Sequence, residues 1–280
     1  MQALLLLILS LVFSSTFAQS SSVEDHIKYK INYQLTYKPD STSLQNTKAE
    51  TFILYRGNQL SIFASEGRVL KDSLEMNVNP SNIGSIDFKE RATRTKTEFG
   101  AVIYKGFPDG KRSYTYKILS DKLRYEEDLN QFNWEILPEN KEINGFNAQK
   151  ATTTFAGRSY TAWFTSEIPI PDGPYKFNGL PGLILEISDT ENHYVYKLKS
   201  FEKLKNPVPI EIKAQDFQEG EKAEVLARIR EFKLNPFAVV EQNNSIEKTI
   251  TFGFNDGEKE KILRQYKKKL TKRNNPIELE

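Results

Sequence analysis

The stretch 27-IKYKINYQLTYK-38 decides the fold. Ile27, Tyr29, Ile31, Tyr33, Leu35 and Tyr37 share one parity, while Lys28, Lys30, Asn32, Gln34, Thr36 and Lys38 share the other. Period two over that length predicts a long strand with one face in a core and the other in water. One-sided strands belong to antiparallel sheets, because the strands of parallel sheets are covered on both faces. The pattern recurs at Tyr114, Tyr116 and Ile118, at Phe132, Trp134 and Ile136, at Tyr160, Ala162 and Phe164, and at Tyr194, Tyr196 and Leu198. Pro108-Asp109-Gly110 and Asn144-Gly145 carry turn chemistry between such runs, as hairpins require. Neighbours in sequence then pair in space, up and down.

Helical spacing appears only as inserts and at the end. Residues 65–76 and 219–234 space their apolar side chains by three and four, with Val225, Leu226, Ile229 and Phe232 marking the second. In 258–273 a narrow stripe of Ile262, Leu263, Tyr266 and Leu270 is surrounded by lysine and arginine. Asn255-Asp256-Gly257 offers a start and Asn274-Asn275-Pro276 a stop. The expected architecture is α+β but mainly β: a curved antiparallel meander sheet, half-barrel-like, with amphipathic helical inserts and a C-terminal helix. Neither an internal repeat nor a low-complexity linker divides the chain, so residues 19–280 read as a single domain.

Composition removes much chemistry. The 280 residues contain no cysteine and two histidines, His26 and His193. That excludes a disulfide framework, a cysteine zinc site, a thiol nucleophile and a three-histidine metal centre. Lys plus Arg, 39, nearly balances Asp plus Glu, 37, which gives no electrostatic footprint for nucleic acid. The apolar run from Ala3 to Phe13, followed by small residues up to Ala18, reads as a secretory signal peptide over 1–18 with the mature chain starting at Gln19. It is too short to span a bilayer, and no other run is long enough, so no transmembrane anchor is expected after cleavage.

The least generic text is 163-WFTSEIPIPDGPYKFNGLPGLILEISD-189. Two prolines in Ile168-Pro169-Ile170-Pro171 remove ladder donors, so this is a connecting segment or sheet edge. Leu180-Pro181-Gly182-Leu183 has the residues of a type II turn, after which 183–187 leaves as a buried strand. Here the sequence resembles the GLPGLI family of exported Gram-negative envelope proteins, spelled by Gly179-Leu180-Pro181-Gly182-Leu183-Ile184. Gln149-Lys150-Ala151, Gly157-Arg158, Ala162-Trp163-Phe164-Thr165, Ile168-Pro169, Gly173-Pro174-Tyr175-Lys176-Phe177 and the tail Asn275-Pro276-Ile277-Glu278-Leu279 extend the likeness over most of the chain. Members often carry cysteine before Gln-Lys-Ala, where this chain has Ala148. The resemblance implies export to the periplasm, the outer membrane or beyond, and the company of an outer-membrane TonB-dependent receptor or other envelope protein. It implies no established activity, catalytic residue or cofactor.

The residues supply two competing functions. The first is a non-enzymatic binding module whose concave aromatic face takes a protein, peptide or apolar ligand, with Trp163, Tyr175, Phe177, Gly179, Leu180, Pro181 and Gly182 as the ligand- or partner-binding set and 168–185 as a rim or strand-addition edge. The second is a carboxylate-dependent hydrolase of envelope glycans or peptides. It requires that two or more of Glu126, Glu127, Asp128, Asp172, Glu186 and Asp189 converge with a raised pKa. A third reading gives the motif to folding alone. Glu186, Asp189 and Glu191 beside Asn192 offer oxygens for calcium, but their spacing fits no EF-hand and a solvated hairpin end is preferred. His193 reads as a surface residue, and the basic terminal helix as a solvated face over the core. No catalytic residue, metal ligand or cofactor is assigned, and export disfavours nucleic acid as a partner.

Overall fold

A computed structural model describes residues 22–76, 94–238 and 255–279. The leader read at 1–18 and the domain start at Gln19 lie outside the described residues. The chain builds β1 (Ser22–Tyr37), β2 (Lys48–Arg56), β3 (Ser61–Ser65), α1 (Glu66–Met76), β4 (Ala101–Lys105), β5 (Lys111–Ile118) and β6 (Asp121–Asp128). It continues with β7 (Glu135–Ile143), β8 (Phe146–Phe155), β9 (Arg158–Thr165), β10 (Leu183–Asp189) and β11 (Tyr194–Lys213). After β12 (Gln218–Glu219) come α2 (Lys222–Leu234) and α3 (Asp256–Thr271). All the strands join one sheet in the order β12-β6-β5-β4-β3-β2-β1-β11-β10-β9-β8-β7.

The order contains two meanders, β1 to β6 and β7 to β11, sewn together where β1 pairs antiparallel with β11. Sequential pairing therefore holds within each. One departure from the antiparallel expectation is β12, whose two residues lie parallel to β6 and extend that edge. The hairpin turns fall where the sequence places them. Asn144 and Gly145 both have positive φ, 52° and 82°, as the tight two-residue turn between β7 and β8 demands.

One short link fixes the sheet's curvature. In the sheet β6 and β7 stand ten strand intervals apart, about 48 Å if flat. Yet only residues 129–134 connect them, and seven Cα steps reach at most about 25 Å. The sheet must curl until its far strands approach, without closing into a barrel. This link also corrects the reading of Phe132, Trp134 and Ile136 as one strand. Phe132 and Trp134 precede β7, and their rings pack on Phe177 at 5.2 and 6.3 Å between centroids. Their alternation came from packing under a connection, not from a pleat.

The inner face carries the main core. Tyr33, Leu35, Phe52, Leu54, Phe63, Ala162, Phe164, Tyr196 and Ile187 are all buried there. The parity read from 27–38 holds, since Ile31, Tyr33, Leu35 and Tyr37 are buried while Asn32, Gln34 and Thr36 are only partly covered. Helix α2 closes one end of this face by burying Val225 and Ile229 against Ile118, Leu123 and Tyr125. A smaller cluster of Leu60, Phe107 and Ile212 lies elsewhere in the sheet, with Ile62 and Tyr104, of opposite parity to Phe63 and Ile103, packed on it. Helix α3 begins with a complete capping box: Asn255 accepts from the Glu258 N–H and Glu258 returns the bond to Asn255. None of its residues is fully buried.

Candidate functional site

The inner face has two differently furnished parts. The first is filled by the segment 166–182, which leaves β9, crosses the face and returns as β10. Its prolines set its path. The N–H groups of Ile170, Asp172 and Gly182 donate two residues back to the carbonyls of Ile168, Ile170 and Leu180, at 2.7, 2.8 and 2.8 Å. Each bond spans a proline, whose fixed φ suits the centre of such a three-residue turn. The expected type II turn at 180–183 is therefore absent: the Leu183 N–H goes instead to the Ile168 carbonyl at 3.0 Å. Gly182 has φ +153°, and a Cβ there would stand 2.0 Å from the Thr165 carbonyl oxygen. This is a strap pressed onto a strand end, not an edge. The edges of the sheet are β7 and β12, so 168–185 is unavailable for strand addition.

The strap is gripped from the opposite wall. Lys105 of β4, Arg112 of β5 and Glu127 of β6 occupy core-facing parity, which is unusual for charges. Lys105 pairs with Asp172 and donates to the carbonyls of Gly173 and Phe177 at 2.7 and 3.1 Å. Arg112 donates to the Lys176 carbonyl at 2.8 Å. Lys176 itself, fully buried, lies 2.8 Å from Glu127 and 2.6 Å from Glu278 and donates to the Tyr125 hydroxyl at 3.2 Å. Burial pushes the Lys176 amine down in pKa against the pull of Glu278 and Glu127. Burial alone would raise Glu127, but Lys176, Lys222 and Arg112 outweigh it and hold the carboxyl below its usual range. Lys222 joins from α2, at 3.0 Å from Glu127 and 3.2 Å from Glu278.

Glu278 belongs to the C-terminal tail, which is stitched to the same face. Arg158 donates to Asn275 Oδ1 at 2.6 Å and to the Pro276 carbonyl at 2.7 Å. The Leu279 N–H reaches the Ala156 carbonyl at 2.9 Å, and Tyr175 donates to Glu278. Asp189 orients Arg158 at 2.8 Å while accepting from the Tyr194 N–H at 2.8 Å. This corrects the reading of Asp189 as part of a solvated hairpin end, since it is 2% exposed. Asp189, Glu191 and His193 do place ligand atoms within 4.8 Å of one another, but Asp189 already serves Arg158.

The second part is a chamber of about 340 Å³. Strands β1, β2, β3, β5 and β11 bring Tyr37, Phe52, Phe63, Tyr114, Tyr116, Tyr194 and Tyr196 to its wall, and α2, α3 and the tail close it with Lys233, Leu270 and Ile277. Edge-on contacts set the rings, as between Phe52 and Tyr196 at 5.8 Å and 77°. Some hydroxyls are engaged: Tyr194 donates to the Asn275 carbonyl at 2.6 Å. Those of Tyr114 and Tyr196 find no hydrogen-bond partner among the described residues. Burial, first of all, raises both phenols far above their ordinary value, so they are neutral donors. At the rim, Glu98 holds Lys269 and Arg273 of the terminal helix region at 2.7 Å each. Burial would raise its pKa, but Lys269, Arg273 and Lys48 lower it.

The seven residues chosen from sequence are divided by this geometry. Tyr175 lines the chamber, in a left-handed conformation at φ 54°. Phe177 and Leu180 are buried beneath the strap, and Gly182 is pressed against β9. Gly179 and Pro181 are exposed bends in it. Trp163 faces away from the inner parity, with Lys141 4.3 Å over its ring. The six carboxylates do not gather either. Glu126 pairs with Arg124, Asp128 with Lys111, Asp172 with Lys105, Asp189 with Arg158, and Glu186 with Lys141 and Lys197. Sequence reasoning missed Lys176, Glu278 and Lys233. The signal was available for the first two as charges between apolar or aromatic neighbours, Tyr175-Lys176-Phe177 and Ile277-Glu278-Leu279.

Comparison with known proteins adds the following. A family model described as a protein of unknown function (Porph_ging) matches residues 155–186, from the end of β8 through β9 and the strap into β10. No curated protein matches. Among solved structures, the chain is similar to PNGF-II in two crystal forms, at 15% and 14% identity with a TM-score of 0.52 for each. The likeness covers 74% of this chain and 34% or 33% of those. The chain thus spans about a third of the length of the structures it matches, and what it shares with them is a fold.

Proposed function

We propose that this chain is a non-enzymatic binding module that receives an apolar ligand in the aromatic chamber. The observation that carries the reading is a space of about 340 Å³ walled by aromatic rings, to which Tyr114 and Tyr196 bring hydroxyls without a hydrogen-bond partner among the described residues. Ligand sites combine largely apolar walls with a few convergent polar groups. Weighing against a carboxylate hydrolase, the candidate acids are each tied to a cation, and Glu127 is held ionised rather than protonated. We place the chain in the GLPGLI family of exported envelope proteins on the strength of its motif text and the leader-like run Ala3 to Phe13, with an outer-membrane receptor or other envelope protein as its company.

The test is titration with an environment-sensitive apolar fluorophore such as N-phenyl-1-naphthylamine. Saturable binding is expected, and it is lost when Ala101, on the chamber wall, is replaced by Phe in a variant whose circular dichroism matches the parent. Failure of the parent chain to bind saturably overturns the reading.

A further inference from the structure

The rim of the chamber carries a cation with no ion pair or hydrogen bond among the described residues. Lys233, in the last turn of α2, lines the chamber, the adjoining space of about 720 Å³ that shares Glu98, Gly100, Tyr116, Leu270 and Arg273 with it, and the groove of about 640 Å³ between α2 and α3. It stands where all three meet. Its ammonium lies 5.2 Å over the Tyr116 ring, and it forms no ion pair or hydrogen bond among the described residues. The neighbouring cations are committed, because Lys269 and Arg273 both hold Glu98 at 2.7 Å. Lys48 adds a third positive charge 3.7 Å from the same carboxylate. Lys48, Lys233, Lys269 and Arg273 thus set four positive charges against the carboxylates of Glu98 and of Glu50, which accepts from the Glu98 N–H at 3.0 Å, and Lys233 is the one without an ion pair among the described residues.

We infer that the chamber takes a single-chain amphiphile with an anionic head, its apolar chain among the rings and its head on Lys233. The inference rests on the binding reading above and specifies its ligand class. Burial and then Arg273 lower the Lys233 pKa, and Glu98 offsets them only in part; an anionic head beside the ammonium adds the missing counter-charge. The aromatic wall supplies the apolar half of the match. A volume near 340 Å³ stands at the small end of ligand cavities, which suits one chain better than two. Lys over Tyr116 also keeps the head near the rim, since the ring's negative face orients the ammonium.

Competition against the bound fluorophore, with dodecanoate and dodecanol below their micellar concentrations, separates the head from the chain. Dodecanoate is expected to compete at least tenfold more strongly in the parent protein. In Lys233→Met, which keeps most of the apolar stem, that preference should fall to within twofold while dodecanol is unchanged, and Lys233→Arg should restore it. Equal competition by acid and alcohol in the parent, or a preference that survives Lys233→Met, overturns the head-group assignment and leaves the apolar chamber standing. If the fluorophore binds and neither compound displaces it, the amphiphile class is wrong; if nothing binds saturably, the chamber reading fails first and the inference with it.

Discussion

The strap-filled part of the inner face and the helix-covered chamber are neighbours, yet they solve opposite problems. Under the strap, the amines of Lys105 and Lys176 are surrounded by carboxylates and carbonyls, and Gly173 and Gly182 have no room for a Cβ. In the chamber, the Tyr114 and Tyr196 hydroxyls and Lys233 have no hydrogen bond or ion pair among the described residues, and space remains. Distinctive sequence thus lies where the backbone must close over the curled sheet. The chamber is lined by residues from many strands, none of which forms a motif. The difference teaches that unusual text can mark a demanding piece of folding while the binding surface beside it is written in ordinary tyrosines and phenylalanines.

That contrast can be broken at the strap first. Replacing Lys105 by Met leaves Asp172 buried at 3% exposure without its cation, and orphaning a buried charge typically costs about 3–5 kcal/mol. Urea unfolding should show a loss of that size, and a loss below about 1 kcal/mol would mean that the strap is not held from β4. Gly182→Ala comes next. Overpacking against Thr165 and positive φ together cost roughly 2–4 kcal/mol, to be read as a lowered midpoint with an unchanged slope. If this variant were instead as stable as the parent but lost ligand, the motif would belong to binding rather than to closure. The smallest effect sharpens the comparison most. Tyr33 donates to the Ile184 carbonyl at 2.7 Å, so Tyr33→Phe should cost about 1 kcal/mol. Tyr196→Phe removes a hydroxyl with no hydrogen-bond partner among the described residues, and its stability should stay within about 0.5 kcal/mol of the parent in the same assay.

Much of the scaffold was legible because it depends on local periodicity. The alternation of 27–38 gave the inner and outer parities of β1, and Val225 and Ile229 lay at the helical spacing that α2 buries. Asn144-Gly145 turned where its two positive φ values require. What escaped depends on contacts far apart in the chain. Lys105, Arg112 and Glu127 sit at core parity only because a strap from 49 or more residues away supplies carbonyls and an ammonium for them. Glu278 looked like tail until Lys176 and Tyr175 received it. Lys233 resembled any helical lysine, since its isolation is a property of the folded rim and not of its neighbours in sequence. The turn at 180–183 was misread for the same reason: Leu183 bonds to Ile168 across the base of the strap, a partner that four residues of sequence do not reveal.

The seam between the two meanders sets a timetable for synthesis. Strand β1 is made first, but its partner β11 begins at Tyr194, and at about 5–20 residues per second the ribosome takes on the order of ten to thirty seconds to reach it. Throughout that wait the longest pairing surface of the molecule stands open along one edge, alternating tyrosine and isoleucine. Until β11 emerges, that edge is a template for pairing with another chain, so the yield of folded protein should fall as the concentration of incomplete chains rises.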